Sequence, residues 1–185
     1  AKEIAEGTSA KVKTIVADLS QRSESSRLAN EAVAAFGAID ILVNNAGSNV
    51  PELTDKISDE NWDRILELNF SSCMALARAL VPQMKERRWG RIINVLNSGA
   101  KTPPAEGAPT AVTRAAGMAI MKVLANENAP FNVLVNSLHV GKIRSEQWEK
   151  RHEKDERGLS LDEWYAEEGK SQPLGRLGLP EEFAA

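Results

Sequence analysis

Thr110 and Arg114 stand four residues apart in the stretch PTAVTRAAGMAIMK (109–122), a spacing that puts both side chains on one face of a helix. Thr110 is an aliphatic alcohol with no accessible ionisation. Arg114 is a permanent cation that offers several hydrogen bonds and cannot give up a proton. Asn97 closes the run RIINVLN (91–97); its amide can donate to a carbonyl oxygen, as an oxyanion-stabilising group does, without transferring a proton. Together these residues can polarise a substrate oxygen, but an acid–base step needs a group that titrates near the working pH. His139, Tyr165 (the single tyrosine), Lys101 and Lys122 are the candidate stand-ins. For each of the four a structural role is the simpler reading, and Lys122 lies two helical turns beyond Arg114.

A second cluster is NNAG (44–47), directly after the apolar run IDILV. Small residues at a strand end let the adenosine of a cofactor approach the backbone, and the amides can tie neighbouring strands together. The same tetrapeptide also suits a plain turn, because Asn and Gly are common turn formers.

The elements that must position these residues alternate along the chain. KVKTIVADLS (11–20), IDILVNNAG (39–47), RIINVLN and FNVLVNSLHV (131–140) read as strands, the second as one buried on both faces. SSRLANEAVAAFG (25–37) reads as a helix stopped by Gly37, and SDENWDRILELNF (58–70) as one opened by Ser58 as N-cap. SSCMALARALVPQMKERR (71–88) and PTAVTRAAGMAIMKVLANE (109–127) complete the helices. Strands alternating with helices predict an α/β fold, a doubly wound, Rossmann-like parallel sheet. The charged segment 142–173, with Trp148, Trp164 and Tyr165, predicts two short amphipathic helices. Its place directly after a strand end suggests a substrate lid inserted in a single domain, 1–185.

Both ends are abrupt. AKEIAEG (1–7) reads as the tail of a helix and GLPEEFAA (178–185) as the start of one. No G-x-G-x-x-G turn precedes a helix, so the sheet is expected to be incomplete at both ends and the chain to be part of a longer protein. Composition narrows the partners. Of 185 residues, 42% are hydrophobic and 26% charged, with a net charge of −3, so no basic surface argues for nucleic acid. One cysteine and two histidines argue against a disulfide framework and a metal centre. No signal core and no apolar run of spanning length is evident, which points to a cytoplasmic protein without a membrane partner.

ADLS (17–20), ILVNNAG (41–47), LELNF (66–70), GRIINV (90–95), NVLVNSL (132–138) and PLGRLGLPEEFA (173–184) together resemble the short-chain dehydrogenase/reductase family, of the type that includes 3-oxoacyl-carrier-protein reductases. The resemblance implies NAD or NADP as cofactor and a small carbonyl or alcohol substrate. It assigns Asp18 to the adenine amino group, Asn45, Ala46 and Gly47 to the path of the cofactor, and Asn69 to a water in a proton relay. Gly141 keeps the glycine of the family's proline-glycine pair, and Ser145 stands where a threonine often touches the carboxamide or phosphates. An ungapped count from GRIIN puts Asn97 at the family's serine, Thr110 at its tyrosine and Arg114 at its lysine. The family's dimer helices correspond to 71–87 and 109–127, implying a homodimer or homotetramer. Three functions are therefore carried forward. The first is an NAD(P)-dependent oxidoreductase in which Asn97 polarises the substrate, Arg114 holds a ribose and a solvent chain through Asn69 or His139 brings the proton. The second is a non-catalytic relative that binds a ligand or a partner subunit. The third is a lyase or isomerase that needs only oxyanion stabilisation.

Overall fold

Strands β1 (Ile41–Asn44), β2 (Gly90–Asn97) and β3 (Val133–Val140) form one sheet in that order. β1 and β2 run parallel, with Ile41 opposite Arg91 and Asn44 opposite Asn94. The computed structural model describes residues 6–185; the first five residues of the expected leading helix tail, 1–7, lie outside them. By internal packing the chain divides into a unit that runs through His139 and a second unit, Val140–Ala185.

In the first unit, helices α1 (Arg22–Phe36), α2 (Asp59–Leu66), α3 (Ser72–Glu86) and α4 (Ala108–Asn128) alternate with the strands. Ser58 caps α2 as expected, its Oγ accepting from the Asn61 N–H at 3.2 Å, and acidic Asp59 and Glu60 complement the helix dipole. α2 does not end where the sequence suggested. It continues through a π turn, Glu67–Ser71, straight into α3, so that Asp59–Glu86 is one helical stretch long and apolar enough to span a membrane by length and composition. Ile65, Leu76, Leu80 and Met84 of this stretch are buried, the last three in the same core as Ile92 and Val133 of the sheet. Gly117 lets α4 lie close on β2, because a Cβ there would stand 3.2 Å from both Asn94 Nδ2 and Leu96 Cδ2.

Two strand expectations need correction. Residues 11–18 form no strand and pair with none among the described residues. Arg27 Nη2 donates to Val16 O and Lys11 Nζ to Ala35 O, each at 2.6 Å. β-branched composition favours extended backbone, but a ladder also needs a neighbour to receive its N–H and C=O groups. β1, expected to be buried on both faces, is an edge strand with Ile41 and Val43 each 54% exposed.

The second unit carries the two helices expected in the charged segment, α5 (Glu146–His152) and α6 (Leu161–Gly169), followed by α7 (Pro180–Ala184). Its small core joins Trp164, Tyr165 and Leu177, with Trp148, Leu159 and Leu161 against them. A capping box between Ser160 and Glu163 starts α6. Asp155 accepts from Trp164 Nε1 at 2.9 Å and from Arg157. Gly169 must be glycine here, since a Cβ would fall 2.6 Å from the Arg176 backbone.

Candidate functional site

The C-terminal ends of β1 and β2, the π turn and the first turns of α4 converge in the first unit, and they bring together most of the residues singled out by sequence. Asn69 sits in the π turn, a helix irregularity frequent at functional sites. Its side chain acts as a clamp: Oδ1 accepts from the Ser48 N–H at 2.9 Å, and Nδ2 donates to Ser48 O at 3.0 Å and to Thr113 Oγ1 at 3.3 Å. The segment after β1 is thereby tied to the π turn. Asn45, Ala46 and Gly47 remain exposed, a strip of small residues over which a flat ligand can reach the backbone.

Arg114 reaches from α4 across this strip. Its Nη1 donates to Val95 O at 2.8 Å, and a Cβ on Gly47 would lie 2.0 Å from Nη2. The guanidinium fills the space that a side chain on Gly47 would take. Burial lowers the pKa of Arg114, because no carboxylate compensates its charge. Its Nε is buried without a hydrogen-bond partner. Cys73, whose Sγ donates to Phe70 O at 2.9 Å, feels this cation weakly; burial is the larger influence and pushes the thiol up to about 11.

Thr110 is 5% exposed, and its hydroxyl donates to Asn49 Oδ1 at 2.7 Å. Asn49 was not anticipated. It follows the NNAG motif by two positions in a segment without periodicity, and only the fold brings it to the start of α4. Asn97 ends β2 with its Oδ1 buried and unpartnered. Its backbone carbonyl lies 3.3 Å from Nδ1 of His139, at the end of β3.

The resemblance also assigns Asp18, Gly141 and Ser145 to the site. Asp18 is exposed, and one of its oxygens accepts from the Ser20 N–H at 3.0 Å and the Ser20 hydroxyl at 2.7 Å. These hydrogen bonds, with the Arg64 cation as a lesser influence, hold its carboxyl below the ordinary value. Gly141 and Ser145 belong to the second unit, where both are exposed and Ser145 is the N-cap of α5.

Beside β1 a mostly apolar slot of about 190 Å³ is lined by Leu28 and Ala32 of α1, Leu42, Cys73 and Leu76, among others. Asn44 and Asn94, opposite each other in the ladder, also line it. Both amide atoms of Asn44 and Nδ2 of Asn94 are buried without partners, and buried polar groups of this kind call for a partner. No group of three or more potential metal ligands occurs among the described residues.

The exposed small strip, the glycine cradle under Arg114 and the unengaged second oxygen of Asp18 fit a nucleotide cofactor laid across the sheet end, where α/β sheets bind ligands.

Comparison with known proteins agrees with this geometry. The sequence profile of the family described as short chain dehydrogenase matches residues 1–156. Nodulation protein G of Rhizobium sp. is 35% identical over 149 residues, 80% of this chain and 61% of that protein. The 3-oxoacyl-[acyl-carrier-protein] reductase FabG of Thermotoga maritima is 32% identical over 182 residues, 97% of this chain and 70% of that protein. Among solved structures, the L-sorbose reductase of Gluconobacter frateurii complexed with NADPH and L-sorbose superposes with a TM-score of 0.92 at 30% identity, covering 99% of this chain and 71% of that one. The chain thus spans between 61% and 71% of the length of these three relatives.

Proposed function

The chain belongs to the short-chain dehydrogenase family, and from that premise we propose that it serves as an NAD(P)-linked oxidoreductase on a small carbonyl or alcohol substrate, through an atypical site. Asn97, Thr110 and Arg114 stand in that site where the family resemblance expects serine, tyrosine and lysine. The observation that supports this reading best is the exposed strip Asn45–Gly47 with the Arg114 guanidinium held across it.

The nicotinamide, when bound, supplies or accepts the hydride. The residues of this chain bind and orient. Asp18 offers its free oxygen to the adenine amino group, and Asn45, Ala46 and Gly47 lie under the cofactor; the family resemblance assigns Gly141 and Ser145 to the same cofactor. Arg114 donates to ribose hydroxyls with the N–H groups that Val95 O leaves free. Asn97 donates its side-chain N–H to the substrate oxygen and stabilises charge as it develops there. Asn69 keeps the strip in place through Ser48. Either NAD or NADP meets these contacts; the sorbose reductase that superposes on the chain was solved with NADPH. The charged segment 142–173 is assigned to a substrate lid, and α3 with α4 to a homodimer or homotetramer interface of a soluble cytoplasmic enzyme.

A second reading, a ligand-binding relative without turnover, draws on Thr110, whose hydroxyl is buried and bonded to Asn49. Nicotinamide absorbance, followed with a panel of ketones and alcohols, separates the two. Turnover supports the oxidoreductase, cofactor binding without turnover supports the second reading, and no cofactor binding defeats the first. Where turnover is found, the combined change N97S/T110Y/R114K raises it if those three positions limit the rate.

A further inference from the structure

Carbonyl reduction leaves an alkoxide that must take up a proton, and the positions assigned by family resemblance do not provide one. The Thr110 hydroxyl hydrogen is committed to Asn49. Arg114 does not release a proton. The Asn69 amide is engaged by Ser48 and Thr113, and amides do not titrate. The Cys73 thiol is pushed up to about 11 by burial and points at Phe70 O.

Resting on the oxidoreductase reading, we propose that His139 is the residue that transfers the proton to and from the substrate oxygen. Its Nδ1 lies 3.3 Å from the backbone carbonyl of Asn97. A carbonyl only accepts, so this contact keeps the hydrogen on Nδ1 and leaves Nε2 as the working nitrogen, bare in the neutral ring and a donor in the cation. The neighbouring contact on the same strand end is Arg114 with Val95 O. Two residues of strand rise separate those carbonyls by about 6.6 Å. The ring is half-buried, which shields a reacting proton from solvent without closing the site. Across the sheet end it meets the backbone of neutral Asn97. Among the described residues no carboxylate pairs with the imidazole.

The step balances. Hydride from the reduced nicotinamide forms the new C–H bond, the C=O π pair moves to oxygen, and the Nε2 proton of cationic His139 completes the hydroxyl. The carbonyl carbon is reduced by two electrons, the nicotinamide is oxidised by two, and His139 is left neutral with its Nδ1–H still on Asn97 O. The reverse direction begins from the neutral ring.

The test uses the whole chain with reduced nicotinamide cofactor and acetoacetyl and short-chain ketone substrates. H139Q and H139N are expected to lower kcat at least 100-fold with KM within threefold, and to change the pH profile of kcat. Free imidazole is expected to restore part of the rate to H139A. Because the chain has two histidines, H139Q and H152Q also assign both imidazole resonances by NMR. The His139 resonance in the unmutated chain is expected to change its titration midpoint when cofactor and an alcohol product bind, a readout that survives if a variant fails to fold. A kcat within threefold and an unchanged pH profile in a folded H139Q, or a His139 resonance indifferent to ligands, overturns the inference and leaves the family reading standing. A chain that neither binds nicotinamide nor turns over any carbonyl compound overturns both.

Discussion

The Arg114 guanidinium occupies the space a side chain on Gly47 would need, with Nη2 2.0 Å from where a Cβ would stand. Gly47→Ala is therefore expected to displace Arg114 from Val95 O and cost about 1–2 kcal/mol, since the obstructing atoms end a flexible chain and can partly move aside. The cost should vanish in an Arg114→Ala background, as urea denaturation of the four proteins in a double-mutant cycle will show. A cost that persists without Arg114 places the strain elsewhere, for instance at Asn69 Oδ1, 3.1 Å from the same point.

Asn69 is expected to matter for stability before it matters for chemistry. Its amide satisfies both backbone groups of Ser48, and orphaning buried partners costs about 1–3 kcal/mol each. Asn69→Ala should lower the unfolding free energy by roughly 2–4 kcal/mol on that basis, and amide exchange at Ser48 should accelerate. A stability unchanged by Asn69→Ala would contradict the clamp.

The contrast between Asn69 and Thr110 explains what could be read from sequence. Ser58 as a cap, the helix around Thr110 and Arg114, and the strand ends at Asn44 and Asn97 follow from local pattern, because caps and periodicity act over a few residues. Thr110 bonding to Asn49, 61 positions away, and His139 meeting Asn97, 42 positions away, are tertiary events without a local signature. The same limit accounts for residues 11–18. Their β-branched composition favours a strand, whereas pairing depends on what stands beside them.

Acid should loosen the second unit by a route that Asp155 controls. Hydrogen bonds from Arg157, first, and from Trp164 Nε1 hold its carboxyl far below the ordinary value. A depressed acid contributes stability that is fully present above the unfolded value, about 3.9, and is lost as pH falls through the folded one. The Trp148–Trp164–Tyr165 packing should therefore persist at pH 4 and weaken progressively below it, followed by tryptophan emission. Asp155→Asn should weaken that packing already at neutral pH and remove this part of the acid dependence. An acid transition identical in both proteins would refute the role of Asp155.

Cys73 offers a direct measure of how closed the slot beside β1 is. Burial raises its thiol to about 11, and the thiolate is the reactive form. At pH 8 a thiol at that value holds roughly 200-fold less thiolate than an ordinary one near 8.5. The greater nucleophilicity of a higher-pKa thiolate offsets much of that difference, so reaction with an aromatic disulfide reagent should be roughly 10-fold slower in the native chain than in urea on this ground alone, with steric shielding adding to the difference. Arg114 favours the thiolate, so Arg114→Ala should slow the native reaction further and Arg114→Lys should leave it nearly unchanged. If the native chain reacts as fast as the unfolded one, the slot opens freely around Cys73, and the packing that surrounds Asn44 and Asn94 is looser than their burial implies.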